Sequence, residues 1–126
     1  MGETGVPAPV RRFITSHIVS VAQLEVLLLL RAARDKQWTS DEVARALVTQ
    51  PEAAAGWLEK LHEQGLAVER DGSYRYQPST EELDRTVDSL AESYANYRVA
   101  VISLIFARPS ERITLFADAF RLRRKR

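Results

Sequence analysis

With 126 residues the chain has the length for one domain with a hydrophobic core and is short for two. Apolar residues make up 45% and charged residues 28%, which fits a globular chain, and the absence of cysteine excludes disulfides, thiolate metal sites and thiol nucleophiles. A net charge of +1 hides an asymmetry: the last twenty residues carry seven basic against two acidic side chains, whereas residues 39–78 carry four basic against seven acidic, a local −3.

Residues 1–9, with Gly2, Gly5, Pro7 and Pro9, form a loose lead-in without the basic and apolar regions of a signal peptide. Together with residues 10–20 they make an N-terminal arm in which a short helix over about residues 10–18 would put Phe13, Ile14 and Ile18 on one side. Four Ser/Thr-x-x-Glu/Gln boxes, Ser20/Gln23, Thr39/Glu42, Thr49/Glu52 and Ser79/Glu82, each precede an apolar-periodic stretch and mark a helix start. After the first box, Leu24, Leu27, Leu28 and Leu30 are apolar on most faces, as in a helix surrounded by protein, over about residues 21–34. A brief helix over residues 41–48 turns Val43, Ala44 and Leu47 inward. A third, over about residues 51–64, buries Ala54, Trp57, Leu58 and Leu61 at the i, i+3, i+4, i+7 spacing. Gly65 supplies the left-handed position that ends it.

Residues 66–69 and 73–77 are predicted as two strands around Arg70-Asp71-Gly72. A three-residue loop with Gly72 left-handed pairs Val68 with Tyr74 and Leu66 with Tyr76. This bulged hairpin gathers the apolar side chains on one face and leaves Glu69 and Arg75 outside. A fourth, long helix is predicted from Ser79 to about Ala107, where Pro109 approaches. Its Leu83, Val87, Leu90, Tyr94, Tyr97, Val101 and Leu104 repeat with spacings of 4 and 3, a heptad seam suited either to homodimerisation or to packing on the chain's own first helices. A short terminal helix from about Ser110 turns Ile113, Phe116, Ala117 and Phe120 inward and ends in the basic run Arg121 to Arg126. The apolar runs at residues 26–30 and 99–107 fall well short of the roughly 20 residues that span a bilayer, so no membrane helix and a cytoplasmic location are expected.

The fold class that results is mainly α with a small β-hairpin. Its units are an arm (1–20), a winged helix-turn-helix (21–78) and a dimerisation region (79–126). The stretch Trp57-Leu-Glu-Lys-Leu-His-Glu-Gln-Gly65-Leu-Ala-Val-Glu-Arg-Asp-Gly72 resembles the recognition-helix end and wing of MarR-like regulators, and the long fourth helix resembles the dimerisation helices of PadR-like and MarR-like proteins. The resemblance implies a homodimeric DNA-binding transcriptional regulator whose third helix lies in the major groove. Thr49, Gln50, Ala53, Gly56 and Lys60 would then meet DNA from the turn and helix, and Arg70 and Arg75 from the wing. Against that stand Glu52 and Glu59 on the same helix, which suit a protein partner and keep a protein–protein interaction module as the alternative. His17 and His62 lie in no metal-ligand or nucleophile spacing and no glycine-rich phosphate loop occurs, so neither an enzyme, a cofactor nor a metal is expected.

Overall fold

A computed structural model describes residues 5–107, which form six helices and one two-stranded antiparallel sheet. Helix α1 (Ala8–His17) buries Val10, Phe13 and Ile14 at helical spacing, and Val6 and Ile18 on either side are buried with them. From Val6 onward the predicted arm therefore contributes to the core. Helix α2 (Val21–Ala32) starts at Ser20, whose hydroxyl accepts the Gln23 N–H at 3.0 Å. The Gln23 side chain closes the cap one residue earlier than expected, accepting the Val19 N–H at 2.8 Å. Leu24, Leu27 and Leu30 on α2 are fully buried, each contributing about 1.5–3 kcal/mol of apolar transfer.

Helix α3 (Ser40–Leu47) carries a complete capping box: Thr39 Oγ1 accepts the Glu42 N–H and Glu42 Oε1 accepts the Thr39 N–H. Helix α4 (Pro51–Glu63) follows after three residues and buries Ala54, Leu58 and Leu61, with Trp57 half-buried beside them. Two predicted caps move by one residue. Gln50, not Thr49, precedes α4, because Pro51 takes the first helical position, where proline's fixed φ and missing N–H are both suited. Thr80, not Ser79, caps helix α5 (Glu81–Asn96), accepting the Leu83 N–H at 3.0 Å, while the Ser79 N–H is spent on the Gly65 carbonyl at 2.7 Å.

Strands β1 (Ala67–Arg70) and β2 (Ser73–Tyr76) pair Ala67 with Tyr76, Val68 with Arg75, Glu69 with Tyr74 and Arg70 with Ser73. The loop is thus two residues, Asp71 and Gly72, both with positive φ (51° and 82°), and the expected bulge is absent. Two left-handed positions match the right-handed strand twist, and the Glu69 carboxylate accepts the Gly72 N–H at 2.9 Å. The one-residue shift in register turns the faces over. Ala67, Tyr74 and Tyr76 share one face with Glu69; Val68, Arg70, Ser73 and Arg75 share the other.

The predicted long helix is broken. At Tyr97 the backbone leaves the helical region (φ −136°, ψ 52°), and α6 (Arg98–Phe106) begins on the far side. A straight helix over these residues would extend on the order of 40 Å, beyond what this small core covers, whereas the bend lets both α5 and α6 pack on α1. Four of the seam residues, Val87, Leu90, Tyr94 and Val101, are consequently buried inside the chain; Leu83 and Leu104 are half-buried and Tyr97 is exposed. On the other side of the molecule α2 packs against α3, α4 and β2. Among the described residues no single helix is long and apolar enough to cross a membrane. The expected terminal helix and basic run lie outside the described residues.

Candidate nucleic-acid interface

The connection between α3 and α4 is a tight, exposed turn of three residues. Val48, Thr49 and Gln50 are all exposed, and Val48 lies in the left-handed region (φ 55°, ψ 60°) with 90% of its surface open. A β-branched residue in that conformation costs on the order of 1–2 kcal/mol. Gln50 makes no side-chain cap, so no side chain of the turn covers the first N–H groups of α4. Beside the turn runs an open groove of about 630 Å³ lined by Asp41, Ala44, Arg45, Val48, Thr49, Gln50 and Pro51. Ala53, Gly56 and Lys60 follow on α4 at spacings of 3 and 4, which puts them on one stripe; Ala53 and Gly56 are exposed and Lys60 is half-buried. A Cβ built on Gly56 would meet nothing within 4 Å.

The other end of α4 is tied down. Gly65 adopts φ +77°, a conformation that favours glycine, and lies close beneath the Ser79 side chain, whose hydroxyl would be 2.8 Å from a Cβ there. Gln64 Nε2 donates to the His17 carbonyl at 2.8 Å. The fully buried Gln23 donates to that same carbonyl and, at 3.2 Å, to Gln64 Oε1, joining α1, α2 and α4 at one corner. His62 Nδ1 lies 3.1 Å from the Ala67 carbonyl, and the Tyr74 hydroxyl donates to Glu59 Oε1 at 3.0 Å. Burial first, and then Glu59, pushes the Tyr74 phenol above its ordinary range. Glu59, expected on the DNA-facing surface, is thus occupied by the hairpin.

Trp38 adds a bridge that the sequence did not disclose: its N–H donates to the Tyr74 carbonyl at 2.7 Å and its carbonyl accepts the Tyr74 N–H at 2.8 Å. This makes β2 a central segment flanked on both sides. The only hint was an aromatic residue immediately before the Thr39 cap. The outer face of the hairpin carries Arg70 and Arg75 together. Arg70 is exposed, Arg75 donates to Gln77 Oε1 at 2.7 Å, and neither forms an ion pair among the described residues; the expected alternative pairing of Arg75 with Glu69 does not occur, since the two lie on opposite faces.

At the base of the hairpin the Tyr76 hydroxyl donates to Asp84 Oδ1 at 3.2 Å, and Arg34 donates to Asp84 at 2.9 Å and to Asp88 at 3.3 Å. Arg31 completes the cluster on Asp88 at 2.9 Å, and the Arg34 guanidinium lies over the Tyr76 ring. Burial, then the Asp84 charge, pushes the Tyr76 phenol far above its ordinary range, while the Arg34 hydrogen bond holds Asp84 below the ordinary carboxylate range. Arg31 on the last turn of α2 and Arg34 just beyond it therefore fasten the hairpin and α2 to α5. Residues 5–107 carry eleven basic and fourteen acidic side chains, a net −3, and on α4 Glu52 and Glu63 remain exposed.

His17 stacks on Phe13 at 4.4 Å and accepts or donates at Ser16 Oγ, 2.8 Å away, and burial pushes its pKa below the ordinary value. Among the described residues no group of three or more His, Asp or Glu side chains is placed to hold a metal. No protein-family model, curated protein or solved structure matches the chain.

Proposed function

We propose that this chain is a winged helix-turn-helix protein that binds duplex DNA as a homodimer and regulates transcription, as its MarR-like and PadR-like sequence features suggest. The observation that carries this reading is the outer hairpin face, where Arg70 and Arg75 stand together without ion-pair partners among the described residues, in a chain whose α4 exposes a stripe of small residues. In this arrangement α4 enters the major groove with Ala53 and Gly56 permitting close approach. Thr49, Gln50 and Lys60 reach phosphates, and Arg70 enters a minor groove. Because most of the heptad seam is internal, the homodimer contact moves to the surface left open around the helix break, where Tyr97 is 46% and Val99 77% exposed.

Binding of the intact protein to a pool of fluorescent genomic duplexes between 50 and 200 mM salt tests the reading. Affinity is expected to fall steeply with salt, and Arg70→Ala to weaken binding across all sequences. Absent or salt-independent binding would sink it. Exposed Glu52 and Glu63 favour a second reading, a protein-interaction module for a basic partner, and in that case Glu52→Gln lowers partner capture while DNA is not retained.

A further inference from the structure

We infer that Val48 is a base-contact residue of this site, seating its methyl groups against the C5-methyl of a thymine in the major groove; the inference rests on the DNA-binding reading above. Two independent features of Val48 are unfavourable for the isolated chain. Its backbone is left-handed (φ 55°), which a β-branched side chain tolerates poorly, and its side chain is 90% exposed, so no packing offsets the strain. Glycine would relieve both, and turns between two such helices often contain it.

Residues held in sparsely populated backbone regions cluster where a ligand is met. Here the strained residue projects beside Arg45, Thr49 and Gln50, all exposed, along the open groove at the turn. Val48 is the one exposed large apolar side chain on α3, α4 and the turn that joins them. Asp41, Arg45, Thr49 and Gln50 line the groove together with the small apolar surfaces of Ala44 and Pro51, and one large exposed apolar side chain in that setting differs from the contiguous apolar centre of a protein interface. It matches the edge of duplex DNA, where donors, acceptors and phosphates surround one apolar feature, the thymine methyl.

The experiment uses the full chain and a random 20-base-pair duplex library, selected in parallel with wild type and Val48→Gly. Wild type is expected to enrich thymine at one position of each half-site that the variant leaves open. Replacing that thymine by deoxyuridine in an enriched duplex should lower wild-type affinity several-fold and leave Val48→Gly unaffected, while the variant melts at a higher temperature than wild type. Equal sensitivity of both proteins to deoxyuridine, identical selected sequences, or a lower melting temperature for the variant overturns the inference and leaves the DNA reading standing. Failure of wild type to enrich any duplex, with no binding even at 50 mM salt, removes the DNA reading and the inference with it.

Discussion

At its C-terminal end α4 is held by Gln23, Gln64, the His17 carbonyl, Gly65 and the Tyr74–Glu59 bond, so that helix, hairpin and the α1–α2 corner are locked together. At its N-terminal end Gln50 caps nothing, Val48 is strained and exposed, and the flanking groove is open. The contrast is that of an element gripped from behind and offered at the front. Stability resides where the polar groups are satisfied internally, and the proposed binding surface lies where they are not.

The largest way to test this division is at the gripped side's apolar core: Leu58→Ala, at a fully buried position, is expected to cost about 2–5 kcal/mol in chemical unfolding. Next comes Gln23→Ala, which strips the Val19 N–H of its acceptor and the His17 carbonyl of one of its two donors. A loss of about 1–3 kcal/mol is expected, against nearly none for Gln50→Ala at the open end. Equal effects of the two glutamines would break the comparison. Gly56→Ala on the exposed face should raise stability by about 0.5–1 kcal/mol, since the added methyl meets no atom and the helix gains propensity. Tyr74→Phe removes one exposed hydrogen bond to Glu59 and should lower stability by only about 0.5 kcal/mol.

Titration sharpens the same contrast at the hairpin base. Asp84 has a depressed pKa, so its contribution is present above the ordinary carboxylate pKa and is lost as pH falls through the native value. Tyr76 has a raised pKa, so its contribution is complete below the ordinary phenol value and declines as pH rises beyond it. Unfolding measured across the pH range should show both limbs, and Tyr76→Phe should flatten the alkaline one.

Much of the gripped architecture was legible in the sequence because it depends on local rules: the Thr39/Glu42 box, the apolar stripe of α4 and glycine at 65 each follow from spacing alone. What escaped was decided by contacts distant along the chain. Asp71-Gly72 favours a two-residue turn by its own chemistry, and a bulge has only the advantage of keeping Val68 with the tyrosines. The fold instead buries Tyr76 with Ala67 and leaves Val68 facing the other way. A continuous heptad over residues 83–104 does not disclose a bend at Tyr97, since the pattern is the same whether the partner is a second chain or α1 of the same chain. The corner of Gln23 and Gln64 joins residues 41 positions apart. At the candidate site the exposed residues of α4 were readable from its inward stripe. Val48 and Arg45 were missed, though a valine standing where a turn wants glycine was the available signal.

The chain has two tryptophans, and the fold assigns each to a different half of the proposed interface. Trp38 is buried, hydrogen-bonded through its backbone to β2 and covered by the Lys36 ammonium at 4.7 Å, whereas Trp57 lies half-exposed on α4. Intrinsic fluorescence therefore separates the two without a label. In Trp57→Phe the remaining emission follows the hairpin, in Trp38→Phe it follows α4, and a bound ligand announces by colour and intensity which of them it has reached.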